Sequence, residues 1–399
     1  MSKPTIVTLP GDGIGRTVLD EAIRVLNAAG FDAKYIEADI GWEFWRKEGN
    51  PLPQRTLDLL AEHKIGLFGA ITSKPKDDAF AELAPTLQGK GLVYSSPIVG
   101  LRQHFGLDIC LRPCHSYTGN PLNFIRRTAE GGVEEPKVDV AIFRQNTEGL
   151  YGGVEWSNPP EQVHDALMTH SRFVSNFGDT PVSELSVSTR IFTKKATDRI
   201  LRAAFEYARK YDYPSVTLCE KPNVIRETSG MMYKMAQQIQ AVDYPEIELW
   251  NTNIDAQMMW LTKNPENYGV IVAGNMFGDI VSDGFAGLIG GLGFAASAQY
   301  NPDTGIGVFE PTHGSAPKYA EYETSIVNPI AMIEAACMML DHLDQQALAV
   351  RIRTAVADVV AEGKVRTYDM ARLSGSADVI EKGANTTTDM ADAIIARLV

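Results

Sequence analysis

Hydrophobic residues occur in short continuous runs that alternate with longer stretches in which they recur at helical spacing. Short apolar runs bounded by turn residues are typical of buried strands, and helical spacing is typical of amphipathic helices. Strands are predicted at Thr5–Leu9, Asp32–Glu37, Ile65–Ala70, Val138–Arg144, Ser215–Glu220, Glu246–Thr252 and Val270–Ala273. Helices are predicted at Arg16–Ala29, Leu57–His63, Lys194–Lys210, Gly230–Gln240, Asn328–Leu343 and Leu348–Ala361. This alternation predicts an α/β fold with a substantial parallel sheet.

Two segments depart from the alternation. Cys114–Glu135 is richer in Pro, Gly, Asn and Ser than its surroundings, which predicts a crossing between two lobes. The polar stretch Trp156–Asp165 is typical of a loop and precedes a predicted strand region at His170–Val174 and Leu185–Phe192. Two lobes, or one lobe into which a second is inserted, also follow from length, because a single core stops growing at roughly 250–300 residues and the chain has 399. We expect the functional site in the cleft between the lobes.

The composition is that of an ordinary globular enzyme, with 44% hydrophobic and 22% charged residues. A formal net charge of −13 offers no basic surface for nucleic acid. No window approaches the ~20 apolar residues that would span a bilayer, and Met1–Pro10 lacks the zones of a signal peptide. We therefore expect a cytoplasmic protein that binds neither nucleic acid nor membranes. The scattered cysteines lack zinc-site spacing and are expected to be reduced thiols: Cys110, Cys114, Cys219 and Cys337.

A glycine-rich turn, Gly11–Gly15, follows the first predicted strand. A Rossmann dinucleotide motif needs the spacing G-x-G-x-x-G and an acidic residue about 20 residues further on. Here the third glycine comes one residue early, and Glu37 lies several residues too late. The sequence therefore favours a tight turn with close backbone packing over a standard Rossmann domain.

Three arginines lie beside apolar runs: Arg102, Arg112 and Arg144. Guanidinium groups suit carboxylates because their planar fork makes paired charge-assisted hydrogen bonds. We predict that all three stand at strand or turn ends, where they could form an anion site. A surface salt bridge is the alternative for each one taken singly.

Asp279 and Asp283 are four residues apart in a strongly apolar stretch. Helical spacing would put both carboxylates on one face, where their charges repel. A divalent cation with oxygen ligands would relieve that repulsion, and Asp255 is a candidate third ligand. The alternative is that they cap a helix or face solvent.

Tyr151 and Lys221 are candidate proton-transfer groups. Lys221 directly follows a predicted strand, at the end where parallel sheets present functional residues. A lysine close to a tyrosine lowers the pKa of the phenol, so that such a pair can pass protons. Whether the two meet stays open at the level of sequence, and each could instead be structural.

These residues stand within motifs that resemble the isocitrate and isopropylmalate dehydrogenase family of β-decarboxylating dehydrogenases. The likeness runs from Thr5 almost to the last residue. It rests on motifs in family order and at family spacing, namely the segments 9–15, 101–102, 111–113, 143–151, 275–283, 310–317 and 328–329.

The resemblance implies the roles of the candidate residues. Arg102, Arg112 and Arg144 would bind substrate carboxylates together with Ser96, and Tyr151 and Lys221 would handle protons. The residues Asp255, Asp279 and Asp283 would hold Mg²⁺ or Mn²⁺. The resemblance also implies a homodimer or larger oligomer with shared active sites, to which Lys221 and Asp255 contribute across the interface.

The resemblance further implies a fold with a large cofactor domain, residues 1–107 and 290–399, and a smaller inserted domain, residues 108–289. NADP is the implied cofactor, with NAD as the alternative, because a basic and phenolic cluster suits an added phosphate. The implied cofactor residues are Thr72, Glu310, His313, Gly314, Ser315, Ala316, Lys318, Tyr319, Asn328, Tyr368 and Arg372.

One position departs from the isocitrate pattern. Isocitrate dehydrogenases have Ser, any residue, then Asn ahead of the first arginine, whereas this chain has Ser96, Pro97 and Ile98. Isocitrate is the leading substrate, and homoisocitrate, isopropylmalate and tartrate are alternatives. A non-catalytic regulatory subunit is an alternative of another class, although such a subunit would be expected to lack some of the acid, base and metal residues.

Overall fold

The computed structural model describes residues 3–398, which form alternating strands and helices. The predicted domain limits also include residues 1, 2 and 399, which lie outside the described residues. The strands are β1 (Thr5–Gly11), β2 (Lys34–Glu37), β3 (Ile65–Ala70), β4 (Ile109–His115), β5 (Arg126–Arg127), β6 (Val133–Glu134), β7 (Asp139–Gln145), β8 (Glu155–Ser157), β9 (Ser186–Ser188), β10 (Ser215–Glu220), β11 (Glu248–Asn253), β12 (Val270–Ala273), β13 (Ala296–Asn301) and β14 (Ile306–Pro311).

The helices connect these strands and cover the sheet. They are α1 (Gly15–Ala28), α2 (Trp42–Glu48), α3 (Gln54–His63), α4 (Lys76–Ala81), α5 (Pro97–Phe105), α6 (Glu161–Met168), α7 (Ser171–Phe177), α8 (Lys194–Lys210), α9 (Thr228–Asp243), α10 (Ile254–Trp260), α11 (Asn275–Leu288), α12 (Pro317–Ala320), α13 (Ile330–His342), α14 (Gln346–Glu362) and α15 (Thr387–Ile395). Short 3₁₀ turns occur at Leu150–Gly152, Val182–Glu184, Pro265–Asn267 and Leu292–Phe294.

One large mixed sheet has the strand order β11-β10-β12-β7-β4-β13-β14-β3-β1-β2. Strands β11, β10, β12 and β7 form one parallel block, and β14, β3, β1 and β2 form a second. Strand β4 runs antiparallel to both β7 and β13, and β13 is also antiparallel to β14. The prediction of an α/β fold that is not a standard Rossmann fold is confirmed, because antiparallel strands join the two parallel blocks.

One hydrophobic core contains residues of both parallel blocks, and a second core lies over the block that contains β7. Residues 330–340 of α13 are buried, since this helix packs between β14, α1 and α14. Helices α8 and α9 pack together over the other block, where Phe205 and Met232 are buried. Helix α11 packs against β7. The resulting layers place the carboxyl end of β7 beside the first turns of α11.

Most predicted elements agree with the structure, but two predictions are wrong. The stretch Trp156–Asp165, predicted as a loop, contains the end of β8 and the start of α6. Strands β3, β10 and β12 and helix α8 have the predicted limits. The strand predicted at His170–Val174 is instead the start of helix α7, where the His170 imidazole accepts a hydrogen bond from the Arg172 backbone N–H. Apolar periodicity over five residues does not separate a strand from a short helix, whereas the cap does.

Residues 153–191, which we term the arm, contain the β8–β9 hairpin and helices α6 and α7. Neither helix has a buried residue. Several large apolar side chains of the arm are exposed: Val154, Met168, Val174, Phe177, Val182 and Ile191. The arm therefore leaves its apolar surface uncovered within one chain.

The predicted division between a large domain and an inserted domain, residues 108–289, falls between neighbouring strands of the same sheet. Strand β4 lies on one side of the division and β13 on the other, and the two are hydrogen-bonded. The division stays a prediction. Among the helices of residues 3–398, none is both long and apolar enough to cross a membrane.

Candidate active site

A cluster of carboxylates and arginines lies between α11 and the strands β4 and β7. Asp279 and Asp283 share one face of α11, as the spacing predicts. Arg112 donates through Nη1 to Asp279 at 3.1 Å, to Asp283 at 3.2 Å and to the Ser282 hydroxyl at 2.8 Å. Its buried Nε has no hydrogen-bond partner among the described residues. A buried donor of this kind is available to an anion.

Arg144 approaches the same cluster from the end of β7. It donates through Nε to Asn275 Oδ1 at 2.9 Å and through Nη1 to Asp279. Burial, followed by the neighbouring Arg112, lowers the pKa of Arg144 to about 10, so that it stays cationic near neutral pH. A Cβ at Gly278 would lie 2.7 Å from Arg144 Cβ, so the helix reaches the strand only because residue 278 is glycine.

Tyr151 completes the contacts of Asp279. Its hydroxyl donates to Asp279 Oδ2 at 3.1 Å, and the Arg144 guanidinium lies 5.5 Å from its ring centre. Burial and the Asp279 charge raise the pKa of Tyr151. The phenol therefore holds its proton near neutral pH in the single chain. With 44% of its surface exposed, it also remains accessible to a ligand.

Lys221 and Asp255 form a separate pair. Lys221 follows β10, Asp255 lies in the first turn of α10, and Lys221 Nζ donates to Asp255. This contact lowers the pKa of Asp255. Lys221 and Tyr151 thus contact different carboxylates. Residues 3–398 contain no group of three or more His, Cys, Asp or Glu side chains arranged to hold a metal ion, so Asp255 does not join Asp279 and Asp283 within one chain.

The two carboxylates of α11 still fit a divalent cation. Carboxylate oxygens are the donors that Mg²⁺ and Mn²⁺ prefer, and Mg²⁺ commonly binds through one or two carboxylates plus substrate and water. The Asp283 side chain is 57% exposed and can turn toward a ligand, whereas Asp279 at 29% is held by its arginine and tyrosine contacts. Burial raises the pKa of Asp283, and Arg112 opposes that rise.

The prediction that all three arginines stand at strand or turn ends is wrong for two of them. Arg112 lies in the middle of β4, and Arg102 lies within helix α5. Its Nε donates to Gln299 Oε1 at 2.6 Å, and its Nη2 lies 3.6 Å from Glu310 Oε1. The helix starts after Ser96, whose hydroxyl makes no capping hydrogen bond. Ile98 is partly buried against the core that contains Leu9. Arg102 is therefore held in place by the sheet rather than by a turn.

The glycine turn lies against the predicted cofactor loop. Ile14 donates its backbone N–H to the Ser315 carbonyl at 2.9 Å, and a Cβ at Gly13 would lie 2.0 Å from that oxygen. The hydroxyls of Thr72 and Ser315 are 2.6 Å apart. Asp12 accepts the backbone N–H of Thr72 at 2.8 Å. The predicted tight turn with close backbone packing is confirmed, and it fixes two predicted cofactor residues side by side.

Other predicted cofactor residues extend from this loop. Glu310 is buried, which raises its pKa, and it accepts a hydrogen bond from Gln299. Burial lowers the pKa of His313, whose Nδ1 lies 3.0 Å from the Gly314 carbonyl oxygen. Asn328 donates to Asp369 at 3.1 Å. Ala316 follows in the left-handed region at φ 38°, just before α12.

The basic and phenolic residues predicted to bind the added phosphate of NADP, which are Lys318, Tyr319, Tyr368 and Arg372, are brought together only in part. Lys318 Nζ lies 5.7 Å from the centre of the Tyr319 ring, and the rings of Tyr319 and Tyr368 are 5.3 Å apart. Arg372 instead donates to the Pro121 carbonyl, so its guanidinium points toward the segment that follows β4.

Several site residues have no counterpart in the sequence predictions. Ser282 contacts Arg112, Gln299 contacts Arg102, and Glu220 is fully buried beside Lys221. Polar residues at alternate positions of the buried strand β13, Ser297, Gln299 and Asn301, were a usable signal, because strand alternation puts them on one face. Glu220 is the one charged residue of the buried strand β10, which is a similar signal.

Comparisons with known proteins give similar sequences over nearly the whole chain. The sequence model of the isocitrate/isopropylmalate dehydrogenase family matches residues 5–394. Protein DlpA of Legionella pneumophila is 38% identical over 392 residues, and the match covers 98% of this chain but only 58% of DlpA. The 3-isopropylmalate dehydrogenase of Methanothermobacter thermautotrophicus is 34% identical over 396 residues, covering 98% of this chain and 100% of that protein.

A solved structure agrees as well. The isocitrate dehydrogenase from Methylococcus capsulatus matches with a TM-score of 0.80 at 34% identity, and the match covers 99% of both chains. Relatives at comparable identity bear the names of isopropylmalate, homoisocitrate and isocitrate dehydrogenases, so the relatives do not fix the substrate. Because sequence and fold agree over nearly the whole length, the chain belongs to the isocitrate/isopropylmalate dehydrogenase family.

Proposed function

We propose that the protein catalyses the oxidative decarboxylation of isocitrate to 2-oxoglutarate and CO₂ with reduction of NADP, dependent on Mg²⁺ or Mn²⁺. The observation that carries the proposal is the convergence of Arg112, Arg144 and Tyr151 on Asp279. Cations for substrate carboxylates, a carboxylate for the metal and a phenol for proton transfer thus lie within one cluster.

In this proposal, each side chain of the cluster has a separate role. Arg112 and Arg144 bind the carboxylates of the substrate, with Arg102 and Ser96 at its distal end. Asp279 and Asp283 hold the divalent cation. When bound, the cation would stabilise negative charge on the substrate oxygen and the dinucleotide would supply the hydride acceptor, while Lys221 of a second chain would take the proton of the oxidised hydroxyl. Tyr151 holds its proton on Oη until it delivers it to the enolate carbon left by CO₂.

We propose that the active site is shared between the two chains of a homodimer. Lys221 and Asp255 form a pair of their own and do not contact Tyr151 or Asp279 within one chain. A second chain would bring such a pair to the two carboxylates of α11 and supply the third metal ligand. The uncovered apolar residues of the arm support an oligomer, because exposed apolar surface of this kind is typical of subunit interfaces.

NADP is the proposed cofactor. Lys318 is an exposed cation beside the phenols of Tyr319 and Tyr368, a combination that suits a phosphate dianion. Thr72, Glu310, His313, Gly314, Ser315, Ala316 and Asn328 would contact the rest of the dinucleotide, and Arg372 would need to turn away from Pro121 to join them. NAD is the alternative.

A second candidate is the same chemistry on another acid. Ile98 stands where isocitrate dehydrogenases have asparagine, so homoisocitrate, isopropylmalate and tartrate remain alternative substrates. A regulatory subunit without activity is less consistent with the chain, because its sequence retains all of the proposed metal, acid and arginine residues.

The test is a parallel assay of purified protein with isocitrate, isopropylmalate, homoisocitrate and tartrate, with NADP and NAD separately, in Mg²⁺ or Mn²⁺. We expect nucleotide reduction with isocitrate and NADP, abolished by EDTA and by Asp279→Asn. The matched control is Asp58→Asn on the exposed face of α3, which should leave the rate unchanged. Activity with another acid instead of isocitrate would identify that acid as the substrate. No activity with any acid would contradict the proposed catalysis.

A further inference from the structure

Glu220 ends β10 with a side chain that is 0% exposed. A buried carboxylate is costly unless charge and hydrogen bonds compensate it. The neighbouring residue is Lys221, a proposed catalytic group. The partners of Glu220 therefore also determine where the first residue after the strand lies.

Three donors from different segments satisfy this carboxylate. Oε2 accepts from Arg190 Nη2 at 2.8 Å and from the Ser229 hydroxyl at 2.5 Å. Oε1 accepts from the Gly274 backbone N–H at 2.8 Å. Arg190 precedes α8, Ser229 lies in the first turn of α9, and Gly274 is the N-cap of α11. We term these four residues the Glu220 network.

The arginine of the network is itself held on several sides. Arg190 Nη1 donates to Thr228 at 2.8 Å and to Ser229 at 2.9 Å. Its guanidinium lies 4.4 Å from the ring centre of Phe192 and 5.0 Å from that of Phe277. Because the Arg190 guanidinium makes three hydrogen bonds and contacts two aromatic rings, its geometry is fixed rather than adaptable.

The network connects the residues that the proposed reaction uses. Ser229 Oγ also lies 3.5 Å from the Lys221 backbone N–H. Gly274 is followed by Asn275, which contacts Arg144, and by Asp279 one turn later. Next to Arg190 in the chain, Ile191 forms an isolated β-bridge with Gly149, which stands two residues before Tyr151.

Gly274 is required for this contact. A Cβ on residue 274 would lie 2.6 Å from Glu220 Oε1 and 2.6 Å from Phe192 Cζ. Any side chain there would push the start of α11 away from the carboxylate. The approach of the helix to Glu220 is therefore as close as the backbone permits.

We propose that Glu220 is a positioning residue that fixes the start of α11, and with it Asp279, relative to Lys221 and the Tyr151 segment. The proposal rests on the proposed function. Since Lys221 serves the partner's site and Asp279 its own, the network would also tie together the two half-sites that one chain supplies.

The test is Glu220→Gln. Glutamine keeps an oxygen for Arg190 and Ser229 but turns an NH₂ toward the Gly274 N–H, so that two donors face each other and the helix start must shift. A shift approaching 1 Å lowers kcat by about 10- to 100-fold. The KM for the hydroxy acid should change less than about threefold, because the arginines that bind it stand on α5, β4 and β7.

The matched control is Glu334→Gln. Glu334 is another largely buried glutamate that pairs with an arginine, Arg353 at 3.1 Å, but it lies on α13. It should lose stability without losing kcat. If Glu220→Gln does not fold, Gly274→Ala disturbs the same contact with the carboxylate intact and should show the same split between kcat and KM.

Hydrogen exchange gives a readout that needs no activity. Amides of residues 275–279 should exchange faster in Glu220→Gln than in wild type and remain unchanged in Glu334→Gln. Wild-type inactivity with every acid would defeat the proposed function alone, and the exchange result would still decide the role of Glu220. Unchanged exchange and kcat in folded Glu220→Gln, or an equal kcat loss in Glu334→Gln, would overturn the proposal.

Discussion

The close approach of α11 to β7 can be tested by adding one methyl group, in Gly278→Ala. The new Cβ would lie 2.7 Å from Arg144 Cβ, 2.9 Å from Arg144 Cγ and 3.1 Å from Arg144 Cα. Arg144 is 2% exposed and cannot move outward, so the helix must move instead. The two carboxylates of α11 move with it.

The expected change in stability is the difference between two opposing effects of the new methyl group. Ordinary contact begins near 3.4 Å, so the helix must retreat by about 0.7 Å. Alanine adds about 1 kcal/mol of helix propensity, and overpacking costs about 1–3 kcal/mol. We expect a net loss of stability of about 0–2 kcal/mol. Activity should fall much more, because a displacement of this size costs about 10- to 100-fold in kcat/KM.

The assay is kcat/KM with the best acid, together with urea unfolding of the same samples. The control is Gly287→Ala on the same helix, where no atom outside the helix lies within 4 Å of the new Cβ. This control should gain up to about 1 kcal/mol in stability and keep its activity. If folded Gly278→Ala kept kcat/KM within about threefold of wild type, the packing argument would be refuted.

Further predictions concern the anion site, the cofactor and stability in acid. Arg112→Lys removes the planar fork, so kcat/KM should fall about 10- to 100-fold; an unchanged value would remove Arg112 from substrate binding. Lys318→Glu should lower kcat/KM with NADP and leave that with NAD nearly unchanged, measured by paired assays; equal losses would contradict a phosphate contact. Asp139 accepts hydrogen bonds from His115 at 2.7 Å and Tyr213 at 2.9 Å, and the first of these holds the pKa of Asp139 far below its ordinary value of 3.8. The contribution of the Asp139 carboxylate to the free energy of unfolding is thus present above about pH 4 and lost as the pH falls. In urea unfolding, the difference between wild type and Asp139→Asn should shrink from about pH 6 to about pH 3, and a constant difference would contradict the assigned cause.

Much of the fold was predictable because its signals are local. The central strands β3 and β12 are buried on both faces and are therefore continuous apolar runs. The exposed arm was not predictable in the same way, since its residues are not sorted by burial within one chain, and the helix that starts after His170 was read as a strand.

The candidate site likewise combines features that local sequence predicts with features that it does not. The four-residue spacing of Asp279 and Asp283 predicted their common face, because helix geometry alone sets it. Nothing local predicted that Arg102 lies in a helix and is held by Gln299, which follows almost two hundred positions later in the chain.

The sequence by itself therefore determined the α/β class, the tight glycine turn, the family and the residue types of the site, because periodicity, turn chemistry and motif spacing are properties of neighbouring positions. Only the tertiary structure decided that Asp279 contacts Arg112, Arg144 and Tyr151 and that Lys221 pairs with Asp255 instead. It also decided that Glu220 is buried. Those contacts depend on how closely α11 packs on the sheet, and packing distances are set jointly by residues that are far apart in the chain.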